Sequence, residues 1–306
     1  MCPRVTRSPS AMRMGCCSRK CLSKFYSKPY YKQQPDGLHR LDISLLTCCI
    51  LTMRSLALLF FVFPTFAEAI EVCIDIPVIG ADPETPAELV QVYEEATASL
   101  ERFPSLLAAL EEQSPKLCLS SKMGNAHGYL DIEQNRIYLS DQIPKAMQVG
   151  VLFHEIRHLE QFALGICPSD DLAMKEYARA TFALEADASV VSLLVAWDMK
   201  ENGNSGPWLA LSAWPTQADI ASKFALEMLA SGDVLSAASA AFAQWYMSEV
   251  RREAYYIASC SGYLDRQDAS KLIPRYQLVP ADFLNDLCRL PSGSRYQCSP
   301  PEVESR

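Results

Sequence analysis

At 306 residues, with 49% hydrophobic and 21% charged side chains, the chain matches an ordinary globular protein with room for a substantial core. Its formal charge of −8 becomes −15 over residues 70–306, where 33 Asp/Glu outnumber 18 Lys/Arg. So acidic a surface repels nucleic acid and offers no basic patch to a membrane.

Residues 1–52 carry nine Lys/Arg, two acidic residues and six of the twelve cysteines, without hydrophobic period. They read as a disordered upstream extension, not made if translation starts at Met53. Residues 53–69, MRSLALLFFVFPTFAEA, have the anatomy of a secretory signal peptide. Arg54 is the basic region, Leu56 to Phe66 the apolar run, and Ala67-Glu68-Ala69 the small-residue cleavage site. The alternative, one N-terminal membrane anchor from Ile43 to Phe66, would put Arg54 near its centre, where a charge is costly. Residues 70–306 are then expected to be a single periplasmic or secreted domain with no stable membrane anchor. Six cysteines remain there: Cys73, Cys118, Cys167, Cys260, Cys288 and Cys298. An even number in an oxidising compartment allows up to three disulfides. No CxxC pair occurs, which argues against a thiolate zinc site or a thioredoxin-like motif.

From residue 71, EVCIDIPVIG is short and β-branched, as a strand would be. Residues 84–113 carry a helical pattern with Pro104 as its interruption, and KLCLSSKMG from 116 reads as a second strand. In HGYLDIEQNRIYLS, residues 127–140, two alternating runs flank a polar turn and predict a β-hairpin. Ile137 and Leu139 would face the core and Tyr138 the other side. A helix is expected from Pro144 to the stop at Gly165. Ser169, Asp170 and Asp171 are expected to cap the next one, which runs to about Lys200. Residues 216–232 and 233–259 read as two further helices, and residues 290–306 as a tail pinned by Cys298.

The stretch VLFHEIRHLEQ, residues 151–161, holds two of the four histidines. On a helix His154 and His158 share a face one turn apart, so both can reach one ion, with Glu155 between them as a general base. Val149, Leu152, Ile156, Leu159 and Ala163 form a separate apolar stripe, which would leave the histidine face free. A catalytic zinc site needs a third protein ligand. Glu185, Asp187 and upstream Glu176 are the acidic candidates on the next helix. Glu185 lies between Ala183, Leu184, Ala186 and Ala188, where an unpaired carboxylate is costly and a metal would offset that cost. The bland alternative is that Glu185 simply faces solvent or pairs with Arg157 or Arg179. Asp187 points about 200° away from Glu185 around the helix and suits a supporting role.

With these residues in view, the chain resembles the gluzincin metallopeptidases over roughly residues 125–195: a hairpin, the HEIRH helix, then a helix bearing Glu in LEADA. It is similar above all to compact bacterial metallopeptidase families. The resemblance implies a zincin-like α+β fold, predominantly helical with a small front sheet. It also implies Zn2+ held by His154, His158 and Glu185, and Glu155 as base. Gluzincins place an Asp or similar residue four positions after the ligand Glu, and here Ser189 stands there.

The expected activity is hydrolysis of a peptide or protein substrate by zinc-activated water. His127, Tyr129, Tyr177, Tyr255, Tyr256 and Arg157 are candidate oxyanion donors, with His127 named as the second catalytic candidate. By analogy with zincins, the RIYLS strand is expected to run beside the substrate. Two alternatives stay open: a helical envelope binding protein with a structural or vestigial zinc site, and a zinc amidase acting on a cell-wall substrate.

Overall fold

In the computed structural model, residues 71–78, 86–124, 126–271 and 275–300 are described. The expected extension and signal peptide, residues 1–69, lie outside them.

Strands β1 (Glu71–Asp75), β2 (Lys116–Ser120), β3 (Gly128–Asp131) and β4 (Arg136–Ser140) form one sheet in the order β1-β2-β4-β3. The hairpin is there, with β3 and β4 antiparallel, while β2 pairs with β4 in parallel. Period-two alternation gives the sheet two apolar faces. Leu117, Leu119, Ile137 and Leu139 enter the main core, whereas Cys118 and Tyr138 point the other way into a small cluster with Met123 and Ala126. The Cys73–Cys118 disulfide joins direct cross-strand partners within that cluster. Because β4 is flanked by β2 and β3, RIYLS is not an edge; on that side of the sheet the outermost strand is β3.

Helices pack on the main face. The pattern over 84–113 resolves into α1 (Ala87–Leu100) and α2 (Pro104–Gln113), since Phe103 leaves helical geometry and Pro104 fits the first turn of a new helix. Helix α3 (Lys145–Ala163) lies against α4 (Met174–Glu201) at the centre of the domain. Among the described residues α4 is the one helix long and apolar enough to cross a membrane, and 83% of its apolar window is buried in protein, as befits a core helix. The expected stripe of α3 is buried at Val149, Leu152, Ile156 and Leu159 but exposed at Ala163. The opposite face is not free, because His158, Gln161 and Arg157 are buried too. The reason is that α3 is covered by the sheet and by helices on several sides.

Ser169, Asp170 and Asp171 do not cap α4, which starts after Ala173 without a side-chain cap. Ser169 Oγ accepts from the Asp171 amide, and the two aspartates pair with Arg266 and Arg275. Charge pairing to the C-terminal half outcompetes the local cap. After α5 (Gly206–Ala213) and α6 (Ala218–Ser231), the run 233–259 divides into α7 (Val234–Trp245) and α8 (Glu249–Ser270). Ser248 caps α8 by accepting from the Arg251 amide, while Arg251 and Arg252 donate to the carbonyls of Trp245 and Tyr246 at the end of α7. The broken helix thus satisfies its free backbone groups with side chains. A short α9 (Phe283–Leu287) leads into the tail, closed by a Cys288–Cys298 disulfide, and with Cys73–Cys118 this makes two of the three allowed bridges among the described residues.

One close approach fixes α3 against β3. A Cβ at Gly128 would fall 2.4 Å from Val151 Cγ1 and 3.2 Å from Glu155 Oε1. Gly128→Ala is therefore expected to cost about 1–3 kcal/mol, as overpacking does. Urea unfolding checks this, and Val151→Ala on top of it should recover part of the loss.

Candidate metal centre

The turn spacing of α3 sets His154 Nε2 3.0 Å from His158 Nε2, with the rings near-perpendicular. From α4, Glu185 brings Oε2 to 3.4 Å from His154 and Oε1 to 3.6 Å from His158. Of the three acidic candidates only Glu185 meets the histidines. Glu176 pairs with Arg179 and accepts from the Val279 amide, and Asp187 turns toward Arg157. The bland alternative for Glu185 fails with them, because its side chain is buried and both arginines are engaged elsewhere.

Donor chemistry and spacing fit a small divalent cation. Two ligand atoms each about 2.0–2.1 Å from a tetrahedral ion sit about 3.3 Å apart, close to what His154, His158 and Glu185 present. Glu185 Oε2 is buried without a hydrogen-bond partner, a costly state for a carboxylate oxygen that a cation would relieve. Burial by itself would raise the Glu185 pKa, yet His158 and His154 outweigh it and hold the carboxyl far below its usual range. Burial likewise opposes charge on His158, but Glu185 prevails and raises that ring to about 9. Glu155 differs: burial pushes its carboxyl up against the pull of the two histidines, and its hydrogen bond comes from the Leu130 amide of β3.

His158 is oriented from behind. Its Nδ1 lies 2.8 Å from Gln161 Oε1, and Gln161 Nε2 faces two acceptors, Leu184 O at 3.2 Å and Asp187 Oδ2 at 2.7 Å. An amide nitrogen between two acceptors leaves the Gln161 oxygen facing His158. In the neutral ring the imidazole proton therefore sits on Nδ1, and Nε2 is the lone-pair face turned to the site. Gln161 was missed in the sequence, although its position one turn after His158 was the available signal.

A cavity of about 310 Å³ opens beside His154 and Glu155. His127 and Gly128 line it from the β3 side, and Trp214, Trp245, Arg251 and Tyr255 from the C-terminal half. His127 stacks on Trp214 with ring centroids 4.6 Å apart. Tyr255 lies close to Glu185, and burial, then that charge, raises its pKa well above the usual value. The other candidate donors lie elsewhere: Tyr129 stacks on Tyr138, Tyr177 packs on Tyr263, Tyr256 is exposed beside Cys260, and Arg157 is buried in the Asp187 pair.

The domain is predominantly helical α+β, and two histidines and a glutamate meet beside a cavity that His154 lines. The model of the family described as "Putative metallopeptidase family (DUF6782)" matches residues 67–298, and the chain belongs to that family. Neither the curated proteins nor the solved structures include a match to it.

Because an incoming cation must displace the His158 proton, metal affinity is expected to fall about tenfold per pH unit below about pH 9. Calorimetric titration in buffers of different ionisation enthalpy reads the released proton. A pH-independent affinity would mean that His158 is already neutral.

Proposed function

We propose that the protein is a zinc-dependent peptidase of an oxidising, extracytoplasmic compartment, with zinc held by His154, His158 and Glu185 and Glu155 as general base. The carrying observation is the convergence of those three donor groups, with His154 and the neighbouring Glu155 lining one cavity. Two imidazoles and one carboxylate suit zinc, and the fourth position is left to water or substrate. Zinc held there supplies a Lewis acid and lowers the pKa of a coordinated water.

The remaining steps belong to the chain's own residues. Glu155, buried and with its carboxyl pKa raised, takes the proton of the attacking water and returns it to the leaving nitrogen. His127, which shares the cavity, donates to the developing oxyanion. The substrate is an extended peptide. Laid along β3 it passes Gly128, which lines the cavity. Two disulfides and the signal-like residues 53–69 support the compartment.

Under zinc excess the purified protein is expected to carry about one ion per chain, the stoichiometry of a three-ligand site. Glu185→Ala should lose it. Glu155→Gln should keep it while hydrolysis of an unfolded protein substrate falls about 10²–10⁴-fold. Failure of the wild type to bind zinc sinks the reading. Zinc binding without peptide hydrolysis favours the binding-protein or cell-wall amidase alternative.

A further inference from the structure

Behind the site, at the face of α3 and α4 turned away from the cavity, lies a second buried polar cluster that catalysis does not use. Asp187 is fully buried and accepts three hydrogen bonds at once in a dry interior: from Arg157 Nε at 2.6 Å and Gln161 Nε2 at 2.7 Å on Oδ2, and from the Tyr296 hydroxyl at 2.7 Å on Oδ1. Tyr296 comes from the C-terminal tail, 109 residues away in sequence. Arg157 is tied to the same tail, since its Nη2 donates to Leu287 O at 2.8 Å and Arg289 O at 2.9 Å. Those residues flank Cys288, and Tyr296 lies two residues before Cys298. The disulfide therefore closes a ten-residue loop, which also carries hydrogen bonds from Tyr296 N to Cys288 O and from Leu290 N to Ser294 O.

We propose that this disulfide-closed tail positions the metal ligand His158, with Tyr296 as the positioning residue acting through Asp187 and Gln161. The inference rests on the metal site proposed above. Its physical basis is polarity. An ionised Asp187 only accepts, so it forces the Gln161 amide to present its nitrogen and to turn its oxygen to His158 Nδ1. That fixes the proton on Nδ1 and aims Nε2 at the metal position. Tyr296 and Arg157 together satisfy Asp187. With the tail withdrawn, the carboxylate loses the hydroxyl and the anchored guanidinium and can turn away from Gln161, which leaves the longer Leu184 O contact alone to hold the amide and loosens the tautomer of His158. Metal affinity thus depends on a bond made outside the site, and reduction of Cys288–Cys298 weakens it.

The test is the zinc dissociation constant, measured by chelator competition at one pH, for wild type, Tyr296→Phe, Gln161→Leu and their double variant. Tyr296→Phe is expected to weaken zinc about tenfold and Gln161→Leu about 10–100-fold, the range for a lost supporting partner. The double variant should lose no more than Gln161→Leu alone, because both act through one path. A Cys288→Ser/Cys298→Ser pair should weaken zinc at least as far as Tyr296→Phe, and reductant should do the same to wild type. The His158 Nδ1 proton resonance gives a second readout that needs no metal. It should be slow to exchange in wild type and broadened by exchange in Tyr296→Phe. Unchanged zinc affinity with an unchanged Nδ1 resonance overturns the proposal, as do losses that simply add. If wild type binds no zinc, the metal reading fails separately, and the Nδ1 resonance alone decides whether Tyr296 orients His158.

Discussion

An ionised carboxylate buried between two helices is the constraint around which the domain is organised. Glu185 sits in the interface of α3 and α4 with one oxygen unsatisfied, and only the imidazoles opposite it make its charge tolerable. That need fixes the relative placement of the two helices, since His154 and His158 must both reach it. The sheet meets the same pair of helices through Gly128, whose bare backbone lets β3 come close enough for the Leu130 amide to hold Glu155.

The same interface carries a second charged group on its other side. Arg157 lies between Asp187 and Glu160, buried with both. A pair of this kind contributes little net stability over an apolar core, but removing one partner leaves a charge that the interior cannot solvate. Its value lies in orientation. Arg157 and Asp187 are directional, so they fix how the tail, α3 and Gln161 face one another. The outward i and i+4 histidines and the inward Arg157 share one helix, which explains why α3 is buried nearly all round and lacks a free polar face.

The C-terminal half is part of the site rather than an appendage. Trp214 stacks on His127, Tyr255 lies close to Glu185, and Arg251 fills the far wall of the cavity by donating to Trp245 O, Thr216 O and Asp219. The break between α7 and α8 makes this possible. A continuous helix over 233–259 would keep its backbone groups to itself and hold Arg251 away from the end of α7.

Local chemistry was legible in the sequence. Periodicity and turn residues gave the hairpin, the helix from Lys145 and the long helix to Glu201. The spacing of His154 and His158 is a property of one helix, so it could be read without a fold. The apolar neighbours of Glu185 pointed to a carboxylate in need of a partner. Pairing between distant segments was not legible, because it depends on competition among contacts. Nothing local tells that Asp170 and Asp171 would meet arginines instead of capping α4, or that β4 would be covered by β3. Nor could spacing reveal that Tyr296 reaches Asp187 or that Cys73 joins Cys118. The sequence by itself determined the spacing of His154 and His158 and the helix that carries them, since these follow from covalent spacing along 3.6-residue turns. Only the tertiary structure decided which carboxylate faces the histidines and what holds His158 in place, since burial and partner choice are set by segments far apart in the chain.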